Sequence, residues 1–137
     1  MAWPSRGYFD QLIHLIRHYL RSERTVRYEI GEQRALFDIE GLWDTYRIVL
    51  SEIHRPDGSR RYAYYVLDNG NQLIVGFDNS ADAQAIRLRY GDEWRQHIHE
   101  EIPHTHDVNR QIRLTDEMTV QRFFEWLQTE LQKTTTQ

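Results

Sequence analysis

Asn69 and Gly70 restrict this chain more than any other pair, because Asn-Gly between two alternating runs is the strongest short-range signal of a tight β-hairpin. Before it, residues 61–67 set Tyr62, Tyr64 and Val66 on one face and Ala63, Tyr65 and Leu67 on the other. After it, residues 72–77 turn Leu73, Val75 and Phe77 one way. The same period of two extends back along the chain. Val26, Tyr28 and Ile30 alternate with Thr25, Arg27 and Glu29, and past Gly31-Glu32-Gln33 the residues Ala35, Phe37 and Ile39 alternate with Leu36, Asp38 and Glu40. Residues 44–53 then align Tyr46, Ile48 and Leu50. Pro56-Asp57-Gly58 supplies the next turn, Pro presetting φ and Gly taking the positive-φ position. The expectation is an antiparallel meander of about five strands over residues 24–78.

The period changes at both ends. Over residues 5–21, Tyr8, Phe9, Leu12, Ile13, Leu15, Ile16, Tyr19 and Leu20 recur at spacings of three and four, the stripe of an amphipathic helix. His14 and His18 flank that stripe and have no helical carboxylate motif beside them. Over residues 115–132, Thr115 is a candidate N-cap, Asp116 and Glu117 complement the helix dipole, and Val120, Phe123, Phe124, Leu127 and Leu131 form a stripe. Residues 133–137 are expected to fray. An α+β fold follows, with an N-terminal and a C-terminal helix packed on the meander. A chain of 137 residues is the length of one ordinary domain and can bury a core of its own.

Composition removes several function classes. The absence of cysteine excludes disulfides, thiolate zinc sites and cysteine nucleophiles. Aromatic residues make up 12% of the chain, which supplies large buried areas and argues against intrinsic disorder. No apolar run reaches the ~20 residues that span a bilayer. Met1 to Arg6 lacks the basic and apolar regions of a signal peptide, so a cytoplasmic protein is expected. A net charge of −4 argues against strong non-specific attraction to nucleic acid, although it leaves room for a local basic patch. Phosphate-binding glycine loops and the Gly-x-Ser-x-Gly elbow are absent.

Between residues 79 and 113 the periodicity dissolves, and an irregular segment rich in histidine is expected, with a short helix or an irregular connection over residues 81–94. His97-Ile98-His99 and His104-Thr105-His106 each put two imidazoles on one side of an extended backbone. Carboxylates at Glu100, Glu101 and Asp107 lie nearby. Such a pattern fits a histidine–carboxylate metal site, general acid–base chemistry, or a solvated polar loop. Because a spacing such as His-Glu-x-x-His is missing, no metal or cofactor is assigned. Phe77-Asp78-Asn79 closes the last strand beside this segment. It reads either as an Asx turn or as polar groups held at the rim of a rigid strand.

The stretch 61–79, then Pro103-His104-Thr105-His106, then the helix from about residue 115 together resemble the TumE-like toxins of bacterial type II toxin–antitoxin pairs. These stretches cover somewhat under half of the chain. Where that family usually has histidines soon after Asp-Asn, this sequence has Ser80-Ala81-Asp82-Ala83, and the interval before Pro-His-x-His is longer. The resemblance implies a growth-inhibiting protein neutralised by a helix-turn-helix antitoxin, with RNA as a possible target. On that reading His104 and His106 are the acid and base of a metal-independent ribonuclease, beside Asp78 and Asn79. Arg87, Arg89, Arg95 and Arg110 are the candidates for holding phosphate. The competing expectation is a non-enzymatic protein-binding or adaptor module, whose Tyr, Trp and Arg side chains anchor a partner.

Overall fold

The computed structural model describes residues 6–131. Helix α1 (Arg6–Tyr19) leads into five strands: β1 (Arg21–Ile30), β2 (Ala35–Trp43), β3 (Tyr46–His54), β4 (Arg60–Leu67) and β5 (Leu73–Asp78). Helix α2 (Ala83–Tyr90) and a 3-10 helix (Gly91–His97) follow, then strands β6 (His104–Asp107) and β7 (Ile112–Leu114). Helix α3 (Val120–Trp126) continues into a π-helical turn (Leu127–Leu131). The α+β class and both terminal helices agree with the expectation. Position 5, position 132 and the tail 133–137 lie outside the described residues.

The strands number seven rather than five, ordered β1 to β7, each antiparallel to its neighbour. Both additional strands arise in or at the end of the segment expected to be irregular, and α2 lies within residues 81–94, where a short helix is one of the two expectations. β6 is only four residues, His-Thr-His-Asp, and has no apolar face to produce a hydrophobic period. β7 is three residues long. The start of α3 also moves. Thr119, not Thr115, is its N-cap, its hydroxyl accepting from the Arg122 N–H at 3.2 Å. The Thr115 N–H instead donates to the Pro103 carbonyl at 3.1 Å, which ties residue 115 to the sheet side of the chain.

Strand parity divides the sheet into two faces. One carries Phe37, Ile39, Ile48, Leu50, Tyr64, Val66 and Phe77, and packs against Phe9 and Ile16 of α1 and Phe123, Phe124 and Leu127 around α3. Each such side chain contributes about 1.5–3 kcal/mol when taken out of water. Within this layer sits Glu52, 1% exposed, which accepts hydrogen bonds from the Tyr64 hydroxyl at 2.6 Å and Arg60 at 3.2 Å. Arg60 also donates to the Met118 carbonyl, fastening β4 to the segment that leads into α3.

The opposite face carries no terminal helix. Cross-strand pairs identify its members: Ile53 with Arg61, Ser51 with Ala63, Ala63 with Asp78, Tyr65 with Gly76, Asp78 with His104, and Gly76 with His106. Helix α2 packs beside β7 at the far end of the sheet, burying Ala85 and Ile86. Among the described residues, no helix is long and apolar enough to cross a membrane.

Candidate functional site

Asp78 ends β5, where the chain turns away from the sheet. Its Oδ1 accepts from the Ser80 N–H at 2.9 Å and the Ser80 hydroxyl at 2.8 Å, the geometry of an Asx turn. Its Oδ2 accepts from the Tyr65 hydroxyl at 3.2 Å. Tyr65 reaches it because residue 76 is glycine. A Cβ there would lie 2.4 Å from the Tyr65 ring, so only a bare backbone lets the ring lie across β5. Burial raises the Tyr65 phenol, and the neighbouring Asp78 charge pushes it further, to about 12.

β6 brings its two histidines to the same place. His104 is fully buried, and its Nδ1 lies 2.6 Å from the Ile102 carbonyl. A carbonyl can only accept, so Nδ1 carries the proton. Nε2 of His104 is then 3.1 Å from Asp78 Oδ1 and 3.0 Å from Nε2 of His106. Nε2 of His106 is 3.1 Å from Asp78 Oδ2, and the His106 side chain is 25% exposed. His106 is therefore the member of the group that solvent reaches.

Burial by itself would raise the Asp78 carboxyl, but hydrogen bonds from His104 and Ser80 outweigh it and hold the group well below the usual carboxylate range. Burial would likewise lower His104. The Asp78 carboxylate, the Ile102 carbonyl and the charge of Asp82 reverse that and raise it. Chemically, a neutral His104 would aim an Nε2 lone pair at a carboxylate oxygen and at a second imidazole nitrogen. A proton on one of the facing nitrogens, or a cation between them, relieves that opposition.

The remaining sequence-predicted residues take other positions. Asn79 is turned into the scaffold: its Oδ1 accepts from the Tyr62 N–H at 2.9 Å, and its Nδ2 donates to the Arg60 carbonyl at 2.8 Å. Arg87 and Arg89 lie on α2, Arg95 in the 3-10 helix and Arg110 in the β6–β7 turn. The Arg87 and Arg95 guanidiniums sit 4.2 Å and 4.8 Å from the Trp94 ring centroid. Arg87 and Arg110 line a shallow groove with Gln84, Leu88, Gln111 and Ile112, and Ile112 is the cross-strand partner of His106. His97 stacks on Tyr90 at 3.6 Å and bonds Glu100, so it serves local structure, while its partner His99 is exposed.

Sequence reasoning missed Tyr65, Ser80 and the Ile102 carbonyl. Tyr65 and Asp78 share a face by parity only once the β4–β5 register is known, and that register contains an irregularity between Val66 and Leu67. Arg61, on the same face, lies close enough to Tyr65 for its charge to act on the phenol. With Arg27, Arg34 and Asp38 it lines a second depression on the face opposite the terminal helices. No family model, curated protein or solved structure matches the chain.

Proposed function

We propose that this protein is a toxin-like enzyme of a bacterial toxin–antitoxin pair that acts on RNA in the cytoplasm, with its chemistry at Asp78, His104 and His106. The convergence of these three side chains carries the reading, because burying ionisable groups against one another costs stability and is a recurring mark of a reactive centre. It also favours an enzyme over an adaptor module. His106 faces solvent. Arg61 lies on one side of it across the sheet, and the groove of Arg87 and Arg110 passes its cross-strand partner Ile112 on the other. Guanidiniums so distributed suit a phosphodiester chain. The cognate antitoxin would be a helix-turn-helix protein, as the resemblance implies.

The geometry refines the division of labour. An acid and a base acting on opposite sides of a phosphate need the phosphate between them. Here the two Nε2 atoms are 3.0 Å apart and His104 is sealed, so the histidines act as one unit on the side of His106.

Expression of the protein alone, with and without its genomic neighbour, tests the proposal. Growth arrest is expected, with relief by a neighbouring DNA-binding protein. His106→Ala is expected to lower RNA cleavage by the purified protein about 100-fold or more while the circular dichroism spectrum is unchanged. Full arrest and full cleavage in that variant would remove the proposal.

A further inference from the structure

We infer that Asp78, His104 and His106 form a binding site for one divalent transition-metal ion, ligated by the aspartate carboxylate and the two Nε2 atoms. The spacing of the donors is the first ground. The two Nε2 atoms are 3.0 Å apart, and each lies 3.1 Å from a different oxygen of the one carboxylate, His104 from Oδ1 and His106 from Oδ2. Donor atoms bound to one ion at ~2.1 Å stand about 3 Å apart, so these side chains need little movement to share one. Two histidines and one carboxylate leave the remaining positions open to water or substrate. Those positions lie on the exposed side of His106.

The surroundings are the second ground. A ligating imidazole is usually held by a bond from its other ring nitrogen, and the Ile102 carbonyl accepts one from His104 Nδ1 at 2.6 Å. The carboxylate is oriented in the same manner, by Ser80 on one oxygen and Tyr65 on the other. All three ligands stand on paired strands, Asp78 directly opposite His104, so the donor set is held rigid before any ion arrives. Imidazole and carboxylate donors without thiolate suit Mn(II), Fe(II), Co(II), Ni(II) or Zn(II) over Mg(II) or Ca(II). A bound ion would bring positive charge to the carboxylate and the two ring nitrogens. It would generate a hydroxide nucleophile at neutral pH or act as a Lewis acid on a phosphoryl oxygen. Among the described residues, this is the group of histidine and carboxylate side chains with donor atoms close enough to share an ion.

The inference shares its side chains with the proposed function but concerns binding alone, so the two fail separately. Untagged protein, stripped with chelator and dialysed, would be titrated with Co(II) and with Mn(II) by calorimetry, and the visible absorption of the Co(II) form recorded. One ion per chain is expected, with Co(II) bands that Asp78→Asn and His106→Gln diminish. Asp78→Asn and His106→Gln should each weaken binding about 100-fold or more, since even outer partners of a metal ligand are worth 10–100-fold. The double variant His14→Ala with His18→Ala should bind as the parent does. His106→Gln keeps the size of an exposed residue, so a folded comparison remains if Asp78→Asn fails to fold. Absence of stoichiometric binding, or undiminished affinity in both ligand variants, overturns the inference. Ion bound without RNA cleavage leaves it standing and removes the proposed function. Undiminished cleavage by the chelator-stripped protein, together with no bound ion, removes this inference and leaves the function.

Discussion

Asp78 and Asn79 are adjacent in the chain and point to opposite tasks. Asp78 turns its carboxylate to the face opposite the terminal helices, whereas Asn79 completes the β4 backbone by bonding the Tyr62 N–H and the Arg60 carbonyl. Asn79→Ala leaves both buried backbone groups without their partner, and a loss of about 1–3 kcal/mol is expected from urea unfolding. Growth inhibition per folded molecule should be unchanged, and a stable but inactive variant would place Asn79 in the chemistry after all. Gly76 makes a contrasting case. Its substitution by alanine sets a Cβ 2.4 Å from the Tyr65 ring, so the ring must leave its place over β5. Gly76→Ala should cost about 1–3 kcal/mol and break the Tyr65–Asp78 hydrogen bond, whereas Tyr65→Phe should break only the bond. Equal stability of Gly76→Ala and the parent in thermal melts would contradict this close approach. Nothing in the sequence around Gly76 announced it, because the clash is with a residue on the neighbouring strand.

At the scale of elements, legibility tracked the presence of an apolar period. The β4–β5 hairpin around Asn69 and Gly70 lies where the turn signal puts it, with Asn71 at a φ of 62°. α3 is likewise foreshadowed by its stripe, and Phe123 is fully buried against Tyr64 and Phe77. Phe123→Ala should therefore lower stability by about 3–5 kcal/mol in denaturant titration, since it empties the joint between helix and sheet. A cost below about 1 kcal/mol would mean that α3 is not anchored there. β6 escaped notice for the opposite reason. Its inward-facing residues on the site side are His104 and His106, and alternation of polar with polar gives no period to read. The start of α3 was misplaced because Thr115 and Thr119 are both competent caps, and the bond from the Thr115 N–H to Pro103 decides between them.

The whole molecule keeps two ionisable networks on opposite faces of one sheet. Glu52, Tyr64, Arg60 and Tyr8 lie in the helix layer, and Asp78 with the two histidines lies on the other side. Phenols on both faces bear on alkaline stability. Partial burial raises the Tyr8 phenol from its ordinary value of 10.0 to about 12, with the Glu52 charge adding to it, and burial raises Tyr64 in the same layer and Tyr65 on the other face as well. A phenol with a raised folded-state pKa contributes stability that is complete below about pH 10 and is lost as pH rises through the folded value. Chemical stability should therefore fall between about pH 10 and pH 12, and less steeply in Tyr8→Phe; identical slopes in the parent and the variant would refute the assignment.

Period and turn chemistry are local properties, and by themselves they determined five strands, two terminal helices and the α+β class. The residues marked both His-x-His pairs and the Asp78-Asn79 strand end as chemically suited, and the resemblance implied the second pair, without the means to join it to Asp78. Joining them is a matter of register. His106 and Asp78 stand 28 residues apart, and their contact depends on β6 pairing with β5 so that Asp78 faces His104. A period of two says which side of its own strand a residue takes, and carries no information about which strand lies next to it. Only the tertiary structure made that choice, and with it decided that His104 is buried, that His106 is reachable, and that the Asn-Gly hairpin delivers Asp78 to both of them.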